Sequence, residues 1–319
     1  MSASMASTEP SVRKDFLEVA DLSHAGLEHL LDLAARVKAD RGLGRRAPTA
    51  DALGGRHVAF LFEKPSLRTW CTFEVAIHEL GGHTVHLPAE FGEGVREPIQ
   101  DVARNLERWV SALVIRTYSQ EKAAAFASAA PRLHVINALS DEHHPCQALA
   151  DLLTLREHLG TLRGRTLAYV GDGNNVATSL AQAATMLGVT MRVATPAGYA
   201  LPPSVTDRVR SLARDGAELV LCADPREAVA GADAVYTDVW TSMGQEREAA
   251  KRRGVFAEFQ VNEALMAAAA PHALFMHCLP AHRGEDVTAE VFESPASVVF
   301  DQAENRLHTQ KALLLTLLG

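Results

Sequence analysis

The chain runs to 319 residues, long for one domain and comfortable for two. Hydrophobic residues make up 47% and charged ones 22%, the balance of a globular protein with sizeable buried cores. Thirty-one Lys+Arg against 39 Asp+Glu give a net charge of −8, which argues against nucleic acid or an anionic membrane as partner but leaves an anionic small substrate open to a few local arginines.

Residues 1–12 are small and polar, without the apolar centre of a signal peptide, and no apolar run reaches the roughly 18 residues of a membrane span. Cys71, Cys146, Cys222 and Cys278 form no C-x-x-C pair and read as reduced thiols, so a cytoplasmic protein is expected. Strands are predicted at His57–Phe62, His83–Leu87, Ala112–Arg116 and 133–136, with helices at 66–80, 97–109 and Gln120–Ala129 between them. The stretch 145–160 reads as a long linking helix. At 100° per residue Leu149, Leu152, Leu153, Leu155 and Leu159 gather on one broad side, interrupted by Arg156, so one face is predicted to be buried. A second series places strands at Thr166–Val170, 191–194, 218–222, Ala234–Thr237, Leu274–His277 and 297–300, with helices near 176–187, 203–215, 248–254 and 262–270. The stretch 301–318 reads as a terminal helix capped by Asp301, with Glu304 three residues on as in a capping box. Strand–helix alternation twice over predicts an α/β chain of two doubly wound parallel-sheet domains joined by long helices, divided at about 145/146.

Parallel α/β sheets bind ligands beyond the carboxyl ends of their strands, so the residues just after each strand carry the chemistry. Ser66-Leu67-Arg68-Thr69 follows the first strand and opens a helix, whose unpaired N–H groups and positive dipole end cradle phosphate. Ser66 and Thr69 add hydroxyls there, and Arg68 adds a fork that matches phosphate oxygens; the plainer alternative is a capped helix with surface polar residues. Arg116 ends another strand, as a ligand contact or a solvent-facing cation. In His143-His144-Pro145-Cys146-Gln147 the adjacent histidines point apart and nothing completes a zinc set, so no metal is expected. A single His144 donating to a substrate carbonyl, with Gln147 one turn on, fits better. Gly171-Asp172-Gly173-Asn174-Asn175-Val176 superficially resembles a dinucleotide fingerprint. The third glycine is Val176 and the next strand ends without an acid for a ribose, so no nicotinamide or other cofactor is expected.

Asp238-Val239-Trp240-Thr241-Ser242-Met243-Gly244 offers a carboxylate, a hydroxyl and a backbone turn to a ligand with an α-amino group, or is a polar surface loop. His277-Cys278-Leu279-Pro280 ends a strand, where neighbours face opposite ways; that argues against a Cys–His nucleophilic dyad and for a buried structural cysteine. Arg306, in the terminal helix, reads by default as part of a solvated face.

Taken in order, these motifs resemble the aspartate/ornithine carbamoyltransferase family from about residue 15 to 318. S-x-R-T, the strand-end Arg, H-P-x-Q and the terminal Arg are shared by the whole family, while D-x-W-x-S-M-G-Q, G-D-G-N-N and H-C-L-P mark its ornithine branch. The resemblance implies transfer of the carbamoyl group of carbamoyl phosphate to the δ-amine of L-ornithine, giving citrulline and phosphate, in either metabolic direction. It implies a carbamoyl phosphate domain of residues 1–145, with 302–319 packing back onto it, and an ornithine domain of 146–301. Ser66, Leu67 (through its backbone), Arg68, Thr69, Arg116, His144, Gln147 and Arg306 would hold carbamoyl phosphate. Asn175, Asp238, Ser242, Met243, Cys278 and Leu279 would hold ornithine, with Arg116, His144, Asp238 and Cys278 as the catalytic set. The resemblance also implies a homotrimer, or a multiple of trimers, with sites shared between subunits. The family pattern S-T-R-T-R has two departures here, Leu67 and Trp70, the second removing a cation near the phosphate or at a subunit contact. Ornithine enzymes carry a Gln in the loop 86–98 that reaches a neighbouring subunit; Glu90 is one candidate for that position, in a loop that is longer here, and the sequence leaves the choice of residue open. The alternatives are a carbamoyltransferase for putrescine, an acylated ornithine or aspartate; a nucleotide-binding oxidoreductase; and a silent paralogue that binds without turnover.

Overall fold

The inner strands of both series are apolar along most of their length rather than in alternation, as strands of parallel sheets are. The third strand, Ala-Leu-Val-Ile-Arg, is buried at every position, as a strand covered by helices on both faces must be. The computed structural model describes residues 13–92 and 96–319; residues 1–12, where no signal peptide was expected, and 93–95 of the loop 86–98 lie outside the described residues. In chain order the first part comprises α1 (His24–Ala39), β1 (His57–Phe62), α2 (Leu67–Glu79), β2 (His83–Leu87), α3 (Ile99–Leu106), β3 (Ala112–Arg116), α4 (Gln120–Ala129), β4 (His134–Leu139) and α5 (Pro145–Leu159). The second comprises β5 (Thr166–Val170), α6 (Asn175–Met186), β6 (Thr190–Ala194), α7 (Pro203–Leu212), β7 (Leu219–Cys222), α8 (Pro225–Val229), β8 (Ala234–Thr237), α9 (Ala249–Phe256), α10 (Glu263–Met266), β9 (Leu274–His277), α11 (Ala289–Phe292) and α12 (Val299–Leu318).

The first sheet has the order β2-β1-β3-β4 and the second β7-β6-β5-β8-β9, every pair parallel. In the first, the chain winds outward from β1 on one side and from β3 on the other, so the switch of direction lies between Phe62 and Arg116, which pair in register. In the second the switch lies between β5 and β8, whose ends lead into Gly171 and Asp238. A crevice opens at such a switch because the flanking connections leave to opposite faces. Both crevices therefore sit at loops singled out above.

Three sequence expectations need correction. The strand at 297–300 is reduced to one isolated bridge between Phe275 and Ser297, and α12 starts at Val299. Asp301 does not cap it: Asp301 pairs with His158 at 2.9 Å and Glu304 with His308 at 3.2 Å. The linking helix α5 is buried on all sides from Pro145 to Leu155 rather than on one face, because α12, α1 and α6 all pack around it. Helix α1 was not anticipated, although Ser23 caps it and Leu27, Leu30, Leu31, Ala34 and Val37 recur at helical spacing.

Helix α12 packs on α1, α2 and α5, so the end of the chain lies against elements of its first third. Among the described residues no helix is long and apolar enough to cross a membrane, and all four cysteines are free thiols. Leu152 is fully buried where α5 meets the largest apolar cluster. Leu152→Ala is expected to cost about 2–5 kcal/mol of unfolding free energy in urea titration, by lost burial plus the cavity left behind.

Candidate active site

The loops at the two switch points face each other across a cleft of about 770 Å³. Ser66, Leu67, Arg68, Thr69, Arg116, His144 and Arg306 line one side; Asn175, Asp238, Ser242, Met243, Cys278 and Leu279 line the other. Gln147, alone of the residues assigned to carbamoyl phosphate or ornithine, stands behind the wall.

On the first side, Ser66 caps α2 by accepting from Thr69 N at 3.3 Å, so the helix N-terminus opens into the cleft. Arg306 arrives from α12. It donates to Gln147 Oε1 at 2.7 Å and to Thr69 Oγ1 at 3.1 Å, which ties the last helix to α5 and α2. Arg116, at the end of β3, has only a long contact across the cleft, 3.9 Å to Met243 Sδ. Among the described residues no carboxylate pairs with Arg68, Arg116 or Arg306. Burial, then Arg306 and Arg68, push the Arg116 guanidinium down to about 10, where it remains charged at neutral pH. The same crowding, after burial, holds His144 well below its usual range, so its imidazole is neutral. Arg116 Nε, Arg306 Nε and His144 Nδ1 are buried without hydrogen-bond partners. Buried polar groups are seldom left so, and three around one cavity mark the place of an anionic, oxygen-rich ligand.

On the second side, Asn174 caps α6 and donates to Asp238 Oδ2 at 2.8 Å, while its neighbour Asn175 donates to the Ser140 carbonyl at 2.5 Å, linking the two halves. Gly173 admits no side chain: a Cβ there would lie 2.6 Å from Tyr199 O and Leu201 N. The glycine pattern thus serves a close approach of backbone segments. Cys278 donates its thiol to Asp238 Oδ1 at 2.9 Å, and burial followed by the Asp238 charge pushes that thiol well above its ordinary value. The pair presents a carboxylate with a neutral sulfur, suited to a cationic or amine group. Ligating atoms of Asp238, His277 and Cys278 lie within 4.8 Å of one another, yet both His277 nitrogens are engaged, by Leu279 N and by Asp286. A metal would have to displace one of them.

Several cleft residues escaped the sequence analysis. Arg252 of α9 donates to Asp172 at 2.7 Å and lies 4.9 Å from the Tyr199 ring centroid. Lys64 pairs with Asp141 and sits 4.1 Å from the Tyr118 ring centroid. Nothing local signals these contacts, which join loops far apart in sequence. Trp70 does not line the cleft. It stacks on His86 with ring centroids 4.5 Å apart, and His86 in turn lies 3.2 Å from Glu74, so position 70 builds an aromatic patch on the outer side of α2. Leu67, at the cleft edge, is 75% exposed.

Behind the wall, Gln147 donates to Asp151 at 2.8 Å. Asp151 also accepts from Gln302 at 2.7 Å and from the Tyr236 hydroxyl at 3.2 Å. Burial pushes its carboxyl up to about 7 against these three hydrogen bonds.

Comparison with known proteins agrees with the geometry. Residues 14–157 match the carbamoyl-P binding domain of the aspartate/ornithine carbamoyltransferases, and residues 163–317 match their Asp/Orn binding domain. The ornithine carbamoyltransferase of Acidothermus cellulolyticus is 53% identical over 309 residues, 96% of each chain. That of Thermus thermophilus is 51% identical over 306 residues, covering 96% of this chain and 97% of the relative. The solved structure of ornithine carbamoyltransferase from Pyrococcus furiosus superposes with a TM-score of 0.92 at 46% identity, over 98% of this chain and 99% of that one.

Asp151 generates a test that is independent of activity. An unfolded Asp takes its proton near 3.9, whereas the folded chain takes it at about 7. Between those values the folded state carries the extra proton, so this group adds stability as pH falls, about 1.4 kcal/mol per unit. Denaturation of wild type and Asp151→Asn at pH 5, 6 and 7 is expected to show the wild type gaining on the variant at each step down.

Proposed function

The chain belongs to the aspartate/ornithine carbamoyltransferase family, and from that premise we propose that it transfers the carbamoyl group of carbamoyl phosphate to the δ-amine of L-ornithine, giving L-citrulline and phosphate. One observation carries the reading: three guanidiniums with no carboxylate partner among the described residues and a neutral histidine face an Asp–Cys pair across a single cleft. The first side suits a phosphorylated carbonyl, the second a free amine.

In this reading the α2 N-terminus, Ser66, Arg68 and Thr69 take the phosphate, and Arg306 reaches it from α12. Leu67 contributes its backbone N–H. Arg116 and His144 donate to the carbonyl oxygen; a neutral imidazole does so without repelling the guanidiniums beside it. Gln147 acts on the same group by orienting Arg306. Asn175, Asp238, Ser242 and Met243 receive the amino-acid portion of ornithine, while Cys278 and the Leu279 carbonyl lie toward its δ-nitrogen.

The amine must first lose a proton. An ordinary alkyl ammonium has a pKa of about 10.4, so presenting it neutral near pH 7.5 costs about 4 kcal/mol. The nitrogen lone pair then attacks the carbonyl carbon, and negative charge collects on the oxygen between Arg116 and His144, where preorganised donors stabilise it most. The new C–N bond persists, the C–O bond to phosphate breaks with its electron pair, and the departing phosphate takes the second amine proton. No covalent enzyme intermediate is needed. The carbamoyl phosphate part is assigned to residues 1–145 with 302–319, the ornithine part to 146–301. The packing of α12 against α1 and α2 supports that division. A cytoplasmic trimer, or a multiple of trimers, completes the proposal, and the exposed Leu67 and the Trp70 patch beside the cleft are suitable surfaces for a neighbouring subunit.

Purified protein with carbamoyl phosphate is expected to form citrulline from ornithine, and at most a few per cent as much product from putrescine, N-acetylornithine or aspartate; a preference for any of these would replace the substrate assignment. Arg116→Ala is expected to lower turnover about a hundredfold or more, the scale of removing one oxyanion donor, and near-native turnover would remove Arg116 from the chemistry. Turnover is expected to rise from about pH 6.5 to 8.5 as the neutral amine grows less scarce; a flat profile would count against deprotonation as the controlling step.

A further inference from the structure

His277 and Asp286 are both fully buried, at 0% exposure, and neither lines the cleft, yet they hold the turn that does. His277 Nε2 lies 2.9 Å from Asp286 Oδ2, and His277 Nδ1 accepts the Leu279 N–H at 2.8 Å. Because a backbone amide always donates, Nδ1 carries no proton there and Nε2 donates to the carboxylate. Asp286 also accepts from His282 N, at 3.1 Å through Oδ1 and 3.3 Å through Oδ2. The segment 278–281 is therefore fastened at two points: inside it, where Leu279 N donates to the His277 ring, and just past its end, where His282 N donates to Asp286. Leu279 is held at φ +60, a backbone conformation that side-chain-bearing residues seldom adopt without support. The fastened segment carries the Cys278 thiol and the Leu279 carbonyl, while the His277 N–H is itself fixed by Gln302 Oε1 at 3.0 Å.

We propose that His277 and Asp286 are positioning residues for the transfer reaction: through the Leu279 and His282 amides they set where the Cys278 thiol and Leu279 carbonyl stand against the attacking amine. The proposal rests on the reading that these two groups face the amine. It assigns a task to a buried pair that touches neither substrate. The fixed ring tautomer makes the task asymmetric, since one nitrogen holds the turn and the other only holds the ring.

That asymmetry supplies the test. Asn at 277 offers an amide oxygen near the place of Nδ1, Gln offers an amide nitrogen near Nε2, and Leu offers neither. Steady-state kinetics is read for His277→Asn, His277→Gln and His277→Leu, with carbamoyl phosphate binding measured by calorimetry in the absence of ornithine. The Asn variant is expected to stay within about threefold of wild type, whereas Gln and Leu raise the ornithine KM and lower kcat, each about tenfold or more, as a misplaced turn does. Carbamoyl phosphate affinity is expected to stay within about twofold throughout, because its residues lie across the cleft. Asp286→Asn keeps an acceptor for His282 N and is expected to show the same split on a smaller scale. Asn no better than Gln, or carbamoyl phosphate affinity falling in step with ornithine KM, would overturn the proposal. If the Leu variant does not fold, the comparison of Asn with Gln decides it alone. A wild-type protein that forms no citrulline would remove the underlying reading, and that result is in hand before any variant is made.

Discussion

Positive charge with no directly paired carboxylate among the described residues is the constraint on which the rest of the structure depends. Arg68, Arg116 and Arg306 crowd one wall of the cleft, and each is disfavoured there by burial, with neighbouring guanidiniums adding to it at Arg116 and Arg306. An arrangement of this kind stores an electrostatic cost that a ligand anion relieves, and it keeps the adjacent imidazole neutral. The surrounding fold is what makes the cost bearable. Arg306 is braced by Gln147 and Thr69, Gln147 by Asp151, and Asp151 by Gln302 and Tyr236, so this cation stands on a chain of buried hydrogen bonds. Buried hydrogen bonds linked in this way reinforce one another and hold the Arg306 guanidinium in one place.

The two sides of the cleft solve different problems with the same architectural device. In each sheet the winding reverses between two neighbouring strands, and the chain places its chemistry at that reversal. The first sheet puts a helix N-terminus there, the second a carboxylate and a thiol. The cationic wall and the wall that carries the Asp238–Cys278 pair thus belong to separate layers, joined through α5 and α12. Asn175 reaches Ser140 O and Arg116 reaches Met243 Sδ across the gap.

Much of this was legible in the residues. The alternation of strands and helices announced two parallel sheets, since apolar runs and strand-end polar clusters are local in sequence. Most of the assigned cleft residues were legible for the same reason: they stand in the loops after strands or at the openings of helices, with Arg306, inside α12, the exception. What could not be read was long-range. The ion pair of Arg252 with Asp172 spans 80 positions, and the bond of Gln302 to Asp151 spans 151. The default reading of Arg306 as surface failed because the face of α12 that carries it is covered by α2 and α5. The cap expected at Asp301 failed because that residue is drawn to His158. Helix α1 was missed although its apolar spacing was present, its flanking residues being less distinctive than those of the strands.

Arg306 enters the site from a helix that begins at Val299, while the remaining cleft residues come from earlier in the chain. Every other part of the anion-binding wall is thus encoded before the final twenty residues of α12 are added. During synthesis the two sheets have their strands in hand while α12 is still inside the ribosome, and the crowded arginine wall lacks its third cation. A chain interrupted upstream of that helix would lose the third cation together with the apolar residues of α12 that complete the largest core cluster, so the site and the core beneath it depend on the same segment.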